Sequence, residues 1–310
     1  MKQHTLQRHY KTEASGYPDW EHRHHAEKWL LFEENLSKHI SIDEVSLNSG
    51  ELYTFVTNKA AKGRKGALIA MIRGTRSEDI KAVMKQILPE KRALVEEITL
   101  DMAQNIESAM VEVFASAKIV TDRFHVSQLT HEVVQQLRIK LRWEEIEAEN
   151  EAVKQAREQG KTIEAKELVN GDTPKQLLAR SRYVLFKPES KWTNNQWLRA
   201  QTLFTRYPEL RQAYDHAQKL NTIYHQKTRI SAQEQLEQWI SETYEKELTL
   251  FYTCAKTISL HKETILNYFY NRSTNASAEA FNAKIKLFRA NLRGVVDLPF
   301  FLFRLTKIFA

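Results

Sequence analysis

The sequence predicts a mixed α/β fold in which a five-stranded sheet with helices is followed by a large all-helical insertion and by final C-terminal helices. Three observations support this prediction. Between residues 40 and 121, five segments have the period-two apolar alternation of strands, and helical patterns separate the later ones. From residue 126 to about 270, helical periodicity runs almost throughout and strand signals are sparse. An apolar helical pattern then closes the chain.

Length and composition describe an ordinary globular protein. The chain has 310 residues, 42% hydrophobic and 27% charged, which is enough for one large domain or two intimate ones. No apolar run reaches the roughly 18 residues of a membrane span, and no signal-peptide pattern opens the chain. The single cysteine, Cys254, excludes a disulfide framework and a multi-cysteine zinc site. We therefore expect a cytoplasmic protein with no membrane partner, and a core position for Cys254.

The charge distribution points to a polyanionic partner. The net charge is +7, yet residues 144–169 carry eight acids against four cations, so the remainder carries +11. A basic body of this kind favours nucleic acid as the partner. We interpret the acidic segment as a solvent-exposed helical arm.

Residues 1–38 are predicted to be an N-terminal connector, exposed or folded as a short helix. This segment is polar and rich in histidine, but the pattern H-x-H-H at 22–25 lacks the further spaced ligands of a metal site. The first three strands are predicted at 40–47, 51–59 and 67–73, and they form an antiparallel meander.

The remaining strands are predicted at 94–100 and 118–121, with helices at 77–88 and 103–114 between them. Asn48–Gly50 is a plausible hairpin turn, and Ala60–Gly66 (AAKGRKG) links the second and third strands. We expect the first part of the core at 39–125, the helical insertion at 126–270 and the returning core helices at 271–310.

The stretch Ser273–Arg289 predicts a helix with two different sides. Good N-cap residues precede it, and an apolar stripe follows, formed by Phe281, Ile285, Phe288 and Leu292. Glu279, Asn282 and Lys286 lie on nearly the opposite side. Phe281–Phe309 is expected to dock on the body, with interruptions at Gly294 and Pro299.

Two aspartates stand out in the predicted sheet. Asp43 interrupts the middle of the first strand, where an acid is disfavoured unless it is paired or holds a cation. Asp101 directly follows the fourth strand, at the edge where open α/β sheets commonly bind ligands. If these strands are neighbours, the two acids converge.

Four motifs carry a resemblance to a known family. They are S-I-D-E at 41–44, L-D-M at 100–102, V-T-D-R-F-H at 120–125 and N-A-S-A-E-A-F-N-A-K-I-K at 275–286. In this order they resemble the DDE transposases of bacterial insertion sequences, most closely the ISL-three type, over about residues 20–305. The resemblance implies a ribonuclease-H-like catalytic domain and an all-helical insertion before the last catalytic helix. It also implies that Asp43, Asp101 and Glu279 are the catalytic, metal-binding acids.

The chemistry of this family implies a divalent cofactor, Mg²⁺, for which Mn²⁺ can substitute. Cleaving and rejoining a phosphodiester builds negative charge on the attacking, leaving and non-bridging oxygens. Two ions about 3.5–4 Å apart activate the nucleophile and stabilise the leaving group. Asp43 would bridge both ions, and Asp101 and Glu279 would each complete one.

Other residues are candidates for support of the site or for DNA contacts. Asp122 and His125 form a D-x-x-H pattern similar to one in related transposases, although a helix cap and a core histidine explain it equally simply. Asn282 and Lys286 share the face of Glu279. Candidates for DNA binding are the basic residues Arg64, Lys65, Arg180, Arg182, Arg199, Lys286 and Arg289. Trp192 and Trp197 are expected in the core, with base stacking as the alternative.

The resemblance implies transposon ends and target DNA as partners, a homo-oligomer on DNA and a nucleoid-associated location in a bacterium. Relatives usually carry an N-terminal zinc module and a helix-turn-helix, and this chain has neither. Either a separate helix-turn-helix polypeptide recognises the ends, or this is a truncated copy. The alternatives to a transposase are a metal-dependent nuclease of the same fold and a non-catalytic, domesticated DNA-binding protein.

Overall fold

A computed structural model describes residues 6, 8–48, 51–162, 167–292 and 294–310. The chain divides into two compact units. The first comprises Met1–Arg123 and Glu263–Ala310, and the second comprises Phe124–Lys262. The predicted turn at Asn48–Gly50 lies largely outside the described residues, as do residues 163–166 of the acidic segment.

The first unit is built on a six-stranded mixed sheet, with strands in the order β1-β4-β3-β2-β5-β6. β1, β4, β3 and β2 are antiparallel neighbours, whereas β2–β5 and β5–β6 are parallel pairs. This confirms the predicted mixed α/β class. The strands are β1 (Trp29–Leu31), β2 (His39–Asn48), β3 (Glu51–Asn58), β4 (Leu68–Arg73), β5 (Glu97–Leu100) and β6 (Lys118–Thr121).

The predicted number of five strands was wrong by one. The extra strand, β1, lies within the segment that we predicted to be a connector. Its three residues are too few to give a period-two pattern. It forms because fully buried Leu30 enters the core, while Trp29 lies opposite Ile72 at the edge of the sheet.

Thirteen α-helices are described. In chain order they are α1 (Ser77–Met84), α2 (Pro89–Arg92), α3 (Gln104–Val113), α4 (Arg123–Glu158), α5 (Pro174–Arg180), α6 (Asn194–Arg206), α7 (Pro208–Ile223), α8 (Arg229–Glu245), α9 (Tyr252–Leu260), α10 (Lys262–Leu266), α11 (Tyr268–Asn271), α12 (Ala276–Asn291) and α13 (Leu298–Phe309). A π-helical turn at Tyr10–Ala14 and short 3-10 helices, among them Lys59–Ala61, complete the described elements.

Helices cover both faces of the sheet. Successive side chains of β2 point to opposite faces, and both faces carry apolar residues that must be buried. Ile40 and Ile42 point to one face, where they join a core with α1 and α3. Val45 and Leu47 point to the other face, where they pack with α12 and α13. Asp43 shares this second face by alternation, so the helix that matters for the site is α12.

α12 is held on the sheet by its predicted apolar stripe. Phe281 is fully buried, with its ring centroid 5.7 Å from that of Phe55 on β3. We expected Pro299 to interrupt a helix, and this prediction was wrong. The proline lies in the first turn of α13, where the missing N–H costs nothing, and Asp297 accepts a hydrogen bond from the Phe300 N–H as the N-cap.

The second unit consists of helices and short turns. The start of the acidic segment forms the end of α4, and it is tied to its own unit, because Glu145 pairs with Arg206 and Glu149 with Lys175. Cys254 is buried as predicted, and burial raises the pKa of its thiol to about 12. Trp192 is only half-buried and Trp197 is half exposed, so the expected core position was wrong for Trp197.

Among the described helices, none combines the length and the apolar character needed to cross a membrane.

One buried histidine makes the stability of the second unit depend on pH. His216 is stacked on Trp239, with ring centroids 4.6 Å apart, and its Nε2 lies 2.8 Å from the Thr243 hydroxyl. Burial lowers the pKa of His216 to about 4. The unfolded chain therefore binds more protons between about pH 4 and 6.5, and folding stability falls as the pH drops through that window.

We predict that His216 accounts for about 3 kcal/mol of this loss by pH 4, from the size of its pKa shift. The measurement is urea unfolding from pH 7 to pH 4. His216→Gln should flatten the dependence, whereas His225→Gln, at an exposed position, should leave it unchanged. Equal slopes in all three proteins would contradict the prediction.

Candidate active site

Three aspartates lie at corresponding positions on three neighbouring strands: Asp43 within β2, and Asp101 and Asp122 directly after β5 and β6. In the parallel pairs, Ser41 lies opposite Thr99, and Leu100 lies opposite Thr121. Two residues beyond the pair Ser41–Thr99, the register aligns Asp43 with Asp101. One residue beyond the pair Leu100–Thr121, it aligns Asp101 with Asp122. The Asp122 N–H still donates to the Leu100 carbonyl at 2.9 Å, which extends the pairing of β5 and β6 to this row.

Asp43 lies in the middle of β2 but just past the end of its parallel pairing with β5. This explains how an acid occupies the middle of a strand, because its side chain is only half-buried. Its Oδ1 accepts a hydrogen bond from the Glu44 N–H at 2.8 Å. Its Oδ2 accepts one from the Asn282 side chain on α12 at 2.6 Å. Both carboxylate oxygens are therefore oriented by named donors.

Asp101 follows β5 and is also half-buried, with Oδ1 accepting from the Ala103 N–H at 2.9 Å. The Glu44 carboxyl interacts electrostatically with both Asp43 and Asp101. Burial raises the pKa of the Glu44 carboxyl, and the neighbouring Asp101 and Asp43 carboxylates raise it further. The carboxyl groups of Asp43, Glu44 and Asp101 thus lie in one region of negative potential, beside the end of β5.

Asp122 contacts the start of the helix that carries Glu279. It is buried, and its Oδ1 accepts a hydrogen bond from the backbone N–H of Asn275, the N-cap residue of α12, at 3.2 Å. A carboxylate at this end of a helix also interacts favourably with the helix dipole. Asp122 belongs to the first unit and His125 to the second, where the His125 ring lies edge-on to Phe124.

Glu279 lies between two points at which α12 touches the row of aspartates. Asn275 contacts Asp122 after β6, and Asn282 contacts Asp43 on β2. Seven helical residues rise about 10 Å, and the two strand spacings from β6 to β2 also amount to about 10 Å. Glu279 is exposed on this same side of α12, and Lys286 is exposed one turn beyond Asn282.

The donor set is one that suits a hard cation. Asp43, Glu44, Asp101 and Glu279 offer only carboxylate oxygens, which Mg²⁺ prefers, and Asp101 makes no ion pair with any described residue. Within the described ranges, however, no three His, Cys, Asp or Glu side chains lie close enough to share one metal ion. The structure therefore brings Asp43 and Asp101 together where β2 passes the end of β5, which we call the corner, and Glu279 lies on the adjacent helix α12.

A buried ion pair lies on the same side of the sheet. Lys59 donates to Glu97 Oε1 at 3.3 Å and to the Thr99 hydroxyl at 2.7 Å. Burial lowers the pKa of Lys59, against the opposing effects of Glu97 and Asp122. Hydrogen bonds from Ser273, Asn271 and Lys59 keep the pKa of Glu97 below its usual range despite burial. We take the pair as ionised, because the donors around Glu97 favour its anion.

The residues predicted to contact DNA differ in their surroundings. Arg64 and Lys65 are exposed in the link between β3 and β4, and Arg289 donates to the carbonyls of Ser46 and Leu47. In the second unit, Arg180 and Arg199 both pair with buried Asp172, and the Arg182 guanidinium lies over the Tyr183 ring. A role for these three arginines in DNA binding stays a prediction.

Sequence reasoning did not single out Glu44, Lys59 or the backbone of Asn275. Glu44 follows Asp43 in β2, and successive side chains of a strand point to opposite faces, so the sequence did not place both acids in one site. Glu44 nevertheless lies near Asp101, because β5 ends at this level. Lys59 was predicted only as the last residue of the second strand, next to the cationic link at Ala60–Gly66. A backbone donor such as the Asn275 N–H leaves no trace in residue type.

We predict that Asp122→Ala destabilises the first unit by about 1–3 kcal/mol, because it leaves the Asn275 N–H buried without its acceptor. Asp122→Asn keeps an oxygen acceptor and should cost less. Denaturant unfolding followed by tryptophan fluorescence measures both, with exposed Asp79→Asn as the control. A loss in Asp122→Ala no larger than in the control would contradict this contact.

Comparison with known proteins identifies the family. The family model of DDE transposases of the ISL3 (ISL-three) type, described as "Transposase", matches residues 40–305. The matched region contains Asp43, Asp101 and Glu279 and spans both compact units. Neither the curated proteins nor the solved structures gave a match. Because the family model covers well over half of the 310 residues, the chain belongs to the ISL3-type DDE transposases.

Proposed function

We propose that this chain is a DNA transposase catalytic subunit that cleaves phosphodiesters and transfers strands with two divalent ions. The catalytic acids are Asp43, Asp101 and Glu279. The observation that carries this proposal is the register of β2 and β5, which aligns Asp43 with Asp101 beside α12, the helix that carries Glu279 and binds Asp43 through Asn282. A protein that only bound DNA would gain nothing from grouping acids where phosphates must approach, because like charges repel.

Mg²⁺, or Mn²⁺ in its place, fits this donor set. Asp43 and Asp101 would hold the ions from the sheet, and Glu279 would add the third carboxylate from α12. When bound, the ions neutralise the charge that builds on the phosphoryl oxygens and activate the attacking oxygen. Carboxylates at this corner repel one another, so their spacing is expected to shrink when a dication neutralises them.

The chain's own residues set the geometry of the acids. The Asn282 amide fixes the Asp43 carboxylate, and the Asn282 side chain is itself buried by the packing of α12. Asp122 holds the N-terminus of α12, one turn before Glu279. Lys286 is exposed on the same side, which supports a contact with a phosphate of the bound strand.

We predict that Asp43→Asn, Asp101→Asn and Glu279→Gln each lower strand cleavage at least about a hundredfold, because each removes one anionic ligand. Cleavage of a labelled duplex with Mg²⁺ measures this, and unchanged thermal melting shows that the variants fold. Asp79→Asn serves as the control. Full activity in any of the three variants would remove that acid from the assignment.

The same assay separates the competing functions. A transposase joins a supplied 3′-hydroxyl end to target DNA. A nuclease of the same fold cuts but leaves such ends unjoined. A domesticated DNA-binding protein shifts DNA in a gel and stays inactive with Mg²⁺ or Mn²⁺. Joined product that disappears with EDTA supports the proposal.

We predict that Asn282→Ala lowers the cleavage rate by about 10- to 100-fold and raises the Mg²⁺ concentration needed for half-maximal rate, as is typical when a partner of a metal ligand is removed. DNA affinity in EDTA should stay unchanged. Asn291→Ala, at the exposed end of α12, is the matched control. A lower DNA affinity with an unchanged metal requirement would show that Asn282 contacts phosphate instead.

A further inference from the structure

The link between β3 and β4 is unusual in its charge. We call residues Lys59–Gly66 (KAAKGRKG) the basic loop. It contains four cations and no acid, and α12 adds three cations and one acid. These two segments carry a net charge of +6, compared with +7 for the whole chain. Outside the acidic segment at 144–169 the chain carries +11, so these two segments hold more than half of that charge.

Three cations of the basic loop are available to a ligand. Lys62, Arg64 and Lys65 are exposed, and none of them makes an ion pair with a described residue. Some cations of the second unit are instead neutralised by ion pairs. Lys219 and Lys246 pair with Glu242, and Lys262 pairs with Glu237. Charge left uncompensated on a surface is what an external anion would meet.

The basic loop has a defined position on α12. Lys284 on this helix donates to the Gly63 carbonyl at 2.6 Å, and the Ser277 hydroxyl lies 3.5 Å from the Lys59 carbonyl. Gly63 is buried with φ +65°, and a Cβ there would lie 3.6 Å from the Phe281 backbone. A glycine at this turn lets the loop adopt the left-handed conformation and approach the helix. At the base of the loop, Lys59 is anchored in the sheet by Glu97.

The loop and the acids lie on opposite flanks of α12. At 100° per residue, Ser277 and Lys284 point to one flank, and Glu279, Asn282 and Lys286 point to the other. The exposed residues between the flanks are small or apolar: Ala280, Ala283, Leu287 and Ala290. A helix with side chains is about 10 Å across, close to the roughly 12 Å of a DNA major groove, whose edges are the two phosphate backbones.

From this arrangement we propose that the basic loop binds the phosphate backbone of a DNA duplex while α12 faces the groove and the opposite strand lies at the acids. Lys62, Arg64 and Lys65 are the contacts, and Lys284 positions the loop on the helix. The contacts are to phosphate, so they position the duplex and do not read its sequence. The inference rests on the proposed function only in taking DNA as the ligand.

The test is the salt dependence of DNA binding, measured by fluorescence anisotropy with a labelled duplex of arbitrary sequence. EDTA is present throughout, so binding is measured apart from cleavage. The variant is K62Q/R64Q/K65Q. The control is K219Q/K246Q/K262Q, which removes the same charge from cations that are paired within the second unit.

Each lost phosphate contact lowers the slope of log K against log[salt] by about 0.9. The loop variant should therefore lose about 2–3 in slope and bind on the order of tenfold to a hundredfold more weakly at 0.1 M salt. The control should match the wild type. A loop variant within about 0.5 of the wild-type slope, or an equal loss in the control, overturns the inference.

A second variant tests the docking of the loop on α12. Gly63→Val keeps every charge but places a β-branched residue at a left-handed position, so the loop must leave its place. Its affinity should fall while its melting temperature stays near that of the wild type. Wild-type affinity in Gly63→Val overturns the docked arrangement. Loop-dependent binding in a protein that never cuts DNA would overturn the proposed function alone.

Discussion

The docking of α12 against β2 is the interaction on which the rest of the first unit depends. One side of the helix buries Phe281 and Ile285 in the core, and the side next to it carries exposed Glu279 and supplies Asn282 to Asp43. Burial of a phenylalanine of this kind stabilises a fold by about 3–5 kcal/mol, judged by its removal to alanine. A single hydrogen bond contributes about 1 kcal/mol. Apolar packing thus holds the helix in place, and the polar contacts fix its rotation and register.

The grouping of charges works against stability and is compensated locally. Asp43, Glu44 and Asp101 lie in one region beside the end of β5, where burial and then the two neighbouring aspartates raise the pKa of Glu44. Asp122, one strand further, is stabilised by the N-terminus of α12 and by Lys59 nearby. The exposed cations of the basic loop lie on the other flank of the same helix. One helix thus separates a region suited to cations from a region suited to phosphates.

The sequence predicted the mixed sheet, the order of β2–β6 with α1 and α3 between them, and the elements on which the acids lie, because period-two and period-3.6 patterns record which sides are buried. It did not predict the short helix α2. It missed β1, whose three residues are too short for any period, and it misjudged Pro299, which starts a helix here. It could not reveal that Arg180 and Arg199 share Asp172, since that pairing joins residues from separate elements. The hydrogen bond from the Asn275 N–H to Asp122 could not be predicted from the sequence either, because it also joins separate elements. The assignment of Asp43, Asp101 and Glu279 came from motifs, and it stays a prediction for the cleavage assay.

The contact between Asp43 and Asn282 joins residues 239 positions apart, and the whole second unit lies between them in the chain. Closing so long a loop costs more entropy than closing a short one, and contacts of such large sequence separation are typical of slow folding. During synthesis β2 leaves the ribosome long before α12 exists. A nascent or prematurely terminated chain that ends before α12 therefore lacks both Glu279 and the contact of Asn282 with Asp43.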